Sequence, residues 1–206
     1  MLRLDGKVAI VTGAGTVGPG WGNGKATAVL LARQGASVFA VDVDEPAAQD
    51  TRRIIEQEGG TCAVHRADVT SAAEVEAMVR ACTARFGRVD ILVNNVGGSA
   101  PGDPVTLSEE AWDAQIDFNL KSVFLGCKYV LPIMEAQGSG AIVNLSSVAG
   151  LRQLSGRSHV GYSASKAAVI QFTRATAIAY SRKGIRCNTV VPGLMHTPLV
   201  EARLAH

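Results

Sequence analysis

The chain has few features of proteins that bind metals or enter membranes. Its four cysteines lie far apart with no Cys-x-x-Cys pair, which is poor spacing for zinc and provides no redox motif. No apolar run approaches the roughly 18 residues of a transmembrane helix. Asp5 and Gly6 interrupt the region where a signal peptide needs an unbroken apolar stretch. We therefore expect a soluble protein of the reducing cytoplasm, with no metal site and no membrane association.

The chain also has no large excess of positive or negative charge. The net charge is +2 from 20 basic and 18 acidic residues, and no Lys/Arg run indicates a nucleic-acid partner. The 206 residues contain no tandem repeat and no Pro-rich, Ser-rich or highly charged linker. This length predicts one domain, residues 1–206, that buries roughly 70% of its unfolded surface. With nucleic-acid, membrane and metal partners disfavoured, we expect the protein to act on a small molecule.

Short apolar runs alternate with amphipathic segments along the whole chain. An apolar run at 8–11 ends at Thr12-Gly13, and apolar residues then recur at helical spacing over 25–34. Continuous Val/Ile/Leu strands between such helices predict a doubly wound parallel α/β sheet in the order 3-2-1-4-5-6. The other predicted strands are 37–41, 61–65, 90–94, 141–145 and 185–190, and the other predicted helices are 46–58, 71–86, 108–136 and 161–182.

The carboxyl ends of these strands define the expected binding crevice. Ligands of such sheets lie outside that edge, near the switch between the first and fourth strands. The residues predicted to surround the crevice are Gly13, Asp42, Asp68, Asn94, Ser147 and Pro192.

A glycine-rich loop joins the first strand to the first helix. Glycines allow a backbone to approach a pyrophosphate closely, and free N–H groups at the helix start attract its charge. Helix phasing selects Gly22 and Gly24, around Asn23, as the phosphate-binding pair, and Gly18 and Gly20 compete with them. The alternative is a flexible turn with no ligand.

Asp42 ends the second predicted strand, eighteen residues after Gly24. A carboxylate at this point can accept hydrogen bonds from both ribose hydroxyls of NAD and would repel the additional phosphate of NADP. The alternative is an ordinary strand-end aspartate in an acidic turn with Asp44 and Glu45.

Tyr162 and Lys166 stand four residues apart at the start of a predicted helix and therefore share a face. A free tyrosine titrates near about 10, and a neighbouring ammonium favours the phenolate, which makes the tyrosine a usable acid and base. Ser147 follows a buried strand just before this helix and could donate a hydrogen bond to a substrate oxygen. Taken alone, the pair could be a surface Tyr-Lys contact and Ser147 a turn serine.

Together these residues resemble the short-chain dehydrogenase/reductase family from Lys7 to Thr197. The motifs that carry the resemblance are Thr12-Gly13 with a following Gly-x-Gly, Asp68-Val69, Asn94-Asn95-Val96-Gly97, Asn119, Ser147, Tyr162-x-x-x-Lys166 and Pro192-Gly193-x-x-x-Thr197.

The resemblance implies a Rossmann fold, a nicotinamide cofactor and a role for each matching residue, and Asp42 selects NAD as that cofactor. Tyr162 would be the acid/base, Ser147 would orient the substrate oxygen, and Lys166 would bind the nicotinamide ribose. Asn119 would hold a water in a proton relay, whereas without the resemblance it would be interpreted as a buried asparagine that bends a helix. The implied cofactor contacts are Asp68 and Val69 at the adenine, the backbone of Asn95 to Gly97, and Pro192, Gly193 and Thr197 near the carboxamide.

Three departures from the family pattern alter the expected site. Five extra residues separate Thr12 from Gly24, and the Ser147 to Tyr162 interval of fifteen residues is two longer than usual. His159 in that interval is either a polar loop residue or an additional proton carrier. The substrate lid and seventh strand of relatives have no counterpart up to His206.

Two functions remain in competition. The first is an NAD-dependent enzyme that interconverts an alcohol and a ketone, and the second is a non-catalytic NAD-binding sensor or scaffold. The expected substrate pocket includes Gly98, Ser99, Leu154, His159 and Leu194. Helices 108–136 and 161–182 form dimers and tetramers in relatives, and we expect the same here from the apolar residues Val123, Val130, Val169, Phe172 and Ile178.

Overall fold

A computed structural model describes residues 3–152 and 158–204 of the chain. Six strands form one sheet in the order β3-β2-β1-β4-β5-β6, and every neighbouring pair is parallel. The predicted fold class and strand order are therefore confirmed. The strands are β1 (Val8–Thr12), β2 (Ser37–Asp42), β3 (Cys62–Arg66), β4 (Ile91–Asn94), β5 (Gly140–Leu145) and β6 (Ile185–Val190).

Helices connect the strands and cover both faces of the sheet. They are α1 (Asn23–Arg33), α2 (Glu45–Gln57), α3 (Ala72–Phe86), α4 (Glu109–Ile116), α5 (Ser122–Gln137), α6 (Val160–Tyr180) and α7 (Pro198–Leu204). The chain order reverses between β1 and β4, so the crevice for a ligand opens at the carboxyl ends of these two strands.

The core has one layer on each face of the sheet. Ile10, Leu92 and Ile142 point to one face and are fully buried with apolar side chains of α3, α5 and α6. Val11 and Val38 point to the other face and pack with α1 and α2. Each such side chain contributes roughly 1.5–3 kcal/mol by burial. All four cysteines are free and buried, as small hydrophobic residues of these layers.

The predicted helix 108–136 is interrupted, which corrects the prediction of one continuous helix. A π-helical turn, Asp117–Lys121, separates α4 from α5. Within it the side-chain amide of Asn119 donates hydrogen bonds to the carbonyls of Gln115 and Gly98. A side chain that inserts between turns produces such a widening. Apolar residues continue on both sides of the turn, so their spacing gives no sign of it.

Three of the five residues that we expected at an oligomer interface belong to the core. Val123, Val130 and Val169 are buried between helices and sheet, and Phe172 packs partly against the same layer. Only Ile178 is largely exposed, at 79%. The exposed large apolar residues of α4, the π turn and α5 are instead Trp112, Phe118 and Phe124.

Candidate active site

The glycine-rich loop reaches α1 at Gly22, which is the N-cap residue. A Cβ on Gly24 would overlap the carbonyl oxygen of Gly13, so Gly24 is where helix and strand approach closely. Gly18 and Gly20 lie in the loop with φ of 72° and 114°. Gly22 and Gly24 thus lie at the start of α1, whereas Gly18 and Gly20 lie earlier in the loop. The first turn of α1 has no acidic residue and Gly22 makes no side-chain cap, so its N–H groups suit an anion.

Asn95 supports the start of this loop. Its side-chain amide donates hydrogen bonds to the carbonyls of Thr12 and Gly13, at 3.1 and 3.0 Å. Its backbone N–H donates to Thr12 Oγ1, which itself donates to the carbonyl of Val93. The side chains of Thr12 and Asn95 therefore shape the backbone at the crevice between β1 and β4.

Asp42 lies at the end of β2, beside the glycine-rich loop. Its Oδ2 accepts a hydrogen bond from the N–H of Gly15 at 2.8 Å, and its Oδ1 accepts one from the N–H of Asp44 at 3.1 Å. A carboxylate oxygen can accept more than one hydrogen bond. Asp42 thus fixes the loop and retains acceptor capacity for hydroxyl groups of a ligand.

Asp68 follows β3 and stabilises the turn before α3. Its Oδ1 accepts hydrogen bonds from the backbone N–H and the hydroxyl of Thr70. These bonds lower the pKa of the Asp68 carboxyl, with the backbone bond the larger cause. The adjacent Val69 is buried in the core. Asp68 thus follows β3 at the carboxyl edge, as the sequence predicted, whereas the Val69 side chain belongs to the core layer.

Lys166 is a buried ionisable residue of the site, and its side chain has a defined hydrogen-bond partner. It lies one turn after Tyr162 on α6 and is only 3% exposed. Its Nζ donates to the carbonyl of Leu145 at 2.8 Å and lies 5.9 Å from the centre of the Tyr162 ring. Burial lowers the pKa of Lys166 to about 8.

The segment from Asn95 to Gly98 covers this lysine. A Cβ on Gly97 would lie 2.7 Å from Lys166 Nζ and 3.0 Å from Asn119 Oδ1. Asn119 is fully buried, and its Oδ1 accepts a hydrogen bond from the N–H of Gly98 at 2.9 Å. The structure thus brings Asn119 and Lys166 together beneath Gly97.

Ser147 ends the segment that follows β5. Its Oγ accepts a hydrogen bond from the N–H of Ala149 at 3.2 Å, which leaves the hydroxyl proton for a substrate oxygen. The preceding Ser146 is buried and its Oγ donates to the carbonyl of Lys166 at 2.7 Å. A Cβ on Gly150 would lie 2.7 Å from the backbone of Lys166. The serine segment therefore packs directly on the helix that carries Tyr162.

His159 joins two loops of the expected substrate pocket. Gly102 and His159 form a parallel β-bridge, and His159 Nδ1 lies 3.1 Å from the carbonyl oxygen of Ala100. This contact favours the polar loop residue over the proton carrier. Leu154 lies outside the described residues, and Leu194 is 90% exposed.

The segment after β6 lies beside the serine segment. The carbonyl of Pro192 accepts a hydrogen bond from the N–H of Val148, and the carbonyl of Thr197 accepts bonds from the first turn of α7. Gly193 is exposed, with open space where a Cβ would be. Pro192 therefore lies beside the segment that contains Ser147, at the carboxyl edge of the sheet where the sequence predicted it.

Sequence reasoning missed the buried amides and hydroxyls beneath the site. Asn144 of β5 and Thr173 of α6 are both buried and hydrogen-bonded to each other. An asparagine inside the apolar run of β5 is the only signal that could have indicated them.

These residues fit a dinucleotide. The start of α1 offers uncapped N–H groups to a phosphate, and Asp42 offers carboxylate oxygens to ribose hydroxyls. In the described residues no cluster of His, Cys, Asp and Glu could hold a metal ion, and no helix is long and apolar enough to span a membrane.

Comparison with known proteins identifies the family. The family model for short chain dehydrogenases matches residues 7–206. The chain belongs to the short-chain dehydrogenase/reductase family. Members of this family are oxidoreductases that act on small molecules and typically bind a nicotinamide cofactor.

Individual members of the short-chain dehydrogenase/reductase family are similar along nearly the whole chain. Levodione reductase of Leifsonia aquatica is 40% identical over 202 residues, which are 97% of this chain and 73% of the relative. The 2-(R)-hydroxypropyl-CoM dehydrogenase of Xanthobacter autotrophicus is also 40% identical, over 96% of this chain and 78% of the relative. A solved structure from Burkholderia xenovorans, described as a short-chain dehydrogenase/reductase, is 52% identical with a TM-score of 0.96, and the match covers 100% of this chain and 81% of that one.

Proposed function

We propose that the protein is an NAD-dependent oxidoreductase that interconverts a secondary alcohol and a ketone, with Tyr162 as the acid/base. The observation that carries the proposal is the burial of Lys166 Nζ beside the Tyr162 ring and beneath Gly97. One turn of α6 thus carries both the proposed acid/base and the cation beside it.

In the proposed reaction, a nicotinamide cofactor held in the crevice would accept or supply the hydride. During ketone reduction the Tyr162 hydroxyl donates its proton to the substrate oxygen. During alcohol oxidation the phenolate takes that proton back. Ser147 donates a hydrogen bond to the same oxygen, and Lys166 binds a ribose hydroxyl. Asn119 holds a water of the relay that returns the proton to Tyr162.

We propose NAD as the cofactor because Asp42 borders the loop as a carboxylate. Asp44 and Glu45 follow it, so an additional phosphate would meet three acidic residues. The proposed cofactor contacts are Thr12, Gly13, Gly22, Asn23, Gly24, Asp42, Asp68, Val69, Asn95, Gly97, Tyr162, Lys166, Pro192, Gly193 and Thr197.

The proposed oligomer and location rest on two further observations. Trp112, Phe118, Phe124 and Ile178 expose large apolar area on α4, the π turn, α5 and α6, which favours a homodimer or homotetramer. The four cysteines are free, which favours the cytoplasm.

A substrate panel tests the proposal directly. Cyclic, linear and coenzyme-linked secondary alcohols and ketones are supplied with NAD or NADH, and the absorbance of NADH is followed. We expect turnover of at least one substrate class. Binding of NAD without turnover across the panel would instead favour the non-catalytic sensor or scaffold.

A further inference from the structure

Three buried polar side chains form a row across the sheet. Asn94 and Asn144 are direct partners in the register of β4 and β5, and Asn94 Nδ2 donates to Asn144 Oδ1 at 2.8 Å. Asn144 Nδ2 in turn donates to Thr173 Oγ1 of α6 at 2.9 Å. Asn144 is fully buried, and the other two are each 3% exposed.

Packing alone does not require these residues. Burying an amide costs free energy unless hydrogen bonds satisfy it, and an aliphatic residue would fill a similar space. Thr173 Oγ1 also donates to the carbonyl of Val169, so its own proton is engaged. Apolar contacts are non-directional, whereas a hydrogen bond has a narrow range of distance and angle. The row therefore fixes how far α6 can slide along β5.

The same two elements carry the catalytic candidates. The residue after Asn144 is Leu145, whose carbonyl accepts the hydrogen bond from Lys166 Nζ. Next is Ser146, whose Oγ donates to the carbonyl of Lys166. Thr173 lies seven residues after Lys166, two helical turns along the same face. Three successive residues of one strand end thus hold one face of α6.

We propose that the hydrogen bond between Asn144 and Thr173 positions α6 so that Lys166 and Tyr162 face Ser147. Thr173 and Asn144 are then positioning residues, because both are buried between β5 and α6 and act through the helix that carries Lys166 and Tyr162. This inference rests on the proposed function. A displacement of reacting groups by about 1 Å can cost about a hundredfold in rate.

Two variants of Thr173 separate the hydroxyl from its methyl group. Thr173→Val keeps the shape and removes the hydrogen bond, so we expect kcat to fall at least tenfold. Thr173→Ser keeps the hydroxyl, so we expect kcat within about twofold of the unmodified protein. Gln137→Met is the control, because Gln137 makes two hydrogen bonds to Val89 at the opposite edge of the sheet. It should lower the melting temperature and leave kcat unchanged.

A second experiment needs no cofactor. NMR of the labelled Lys166 side chain measures the pH midpoint of its titration. We expect Thr173→Val to move the midpoint toward that of an ordinary lysine, because a shifted helix admits water, and Thr173→Ser to leave it in place. The proposal is overturned if Thr173→Val keeps kcat, if Thr173→Ser loses as much as Thr173→Val, or if kcat falls while the Lys166 titration stays unchanged. Full activity of Tyr162→Phe would refute the proposed function by itself.

Discussion

Gly97 and Lys166 are so close that no side chain fits between them. A Cβ on Gly97 would lie 2.7 Å from Lys166 Nζ, and the lysine cannot retreat without losing its hydrogen bond to Leu145. The backbone of the segment after β4 thus approaches the Lys166 side chain so closely that it leaves no space for a methyl group.

Gly97→Ala should therefore impair the site more than the fold. The new methyl group would displace Lys166 Nζ or lift the segment, so we expect kcat/KM to fall at least tenfold while the melting temperature changes by only a few degrees. Steady-state kinetics and thermal unfolding give the two values. Unchanged kcat/KM would mean that Lys166 can move without consequence.

Tyr162→Phe removes the transferable proton and leaves the ring. We expect NAD to bind as in the unmodified protein and turnover to be almost abolished. Tyr180→Phe, at the far end of α6, is the matched control and should keep its activity. Retention of more than about a tenth of the activity, a loss below roughly 1.4 kcal/mol, would contradict the assigned acid/base. Lys166→Ala should impair both binding and turnover.

Asp42 should set the choice of cofactor. We expect kcat/KM with NAD to exceed that with NADP by at least tenfold, which needs only about 1.4 kcal/mol. Asp42→Ala should bring the kcat/KM values for NAD and NADP closer together. Because Asp42 also accepts hydrogen bonds from Gly15 and Asp44, Asp42→Asn is the control that removes charge and keeps one acceptor. Equal use of both cofactors by the unmodified protein would show that Asp42 does not act on the ribose.

The lowered pKa of Lys166 predicts a change of stability with pH. Burial brings this pKa to about 8 in the folded state, whereas an unfolded lysine titrates near about 10.4. Between these values the unfolded chain binds more protons, so the penalty for burying the charge disappears as pH rises. We expect the free energy of unfolding to rise by on the order of 3 kcal/mol relative to Lys166→Met. Urea titrations from pH 7 to 10.5 measure it, with the exposed Lys128→Met expected to parallel the unmodified protein.

The exposed aromatic residues of α4, the π turn and α5 predict self-association. Light scattering at micromolar concentration should give a dimer or tetramer, and Phe124→Glu should reduce its mass. Leu30→Glu on α1 introduces the same charge at another exposed apolar position and should leave the mass unchanged. A monomer of the unmodified protein would contradict the proposal.

The strands and their order were predictable because short, largely apolar runs such as β1, β2, β4 and β5 recur between amphipathic helices. Parallel strands place their carboxyl ends at one edge of the sheet, so Asp42 and Ser147 were expected at that edge. Apolar spacing alone did not predict the π turn, because the spacing continues through it, and only the asparagine at position 119 indicated a bent helix there.

The sequence also did not predict which buried polar side chains are hydrogen-bonded to each other. Asn144 and Thr173 lie 29 residues apart and meet only because α6 returns across β5. The apolar residues of α5 and α6 produced a different error, because core residues were assigned to an oligomer interface. Val123 and Val130 face their own core, and spacing alone cannot separate the face toward the sheet from a face toward a partner.

The bridge between Gly102 and His159 makes one wall out of two loops. The segment after β4 and the start of α6 are joined there by backbone hydrogen bonds and by the His159 side chain. A substrate that displaces either loop would therefore displace the other as well. Tyr162 lies three residues after His159 and would move with them. Evolution or engineering of a new substrate range at this wall would proceed by coupled substitutions in both loops, because a single change on one side alters the geometry of the acid/base as well.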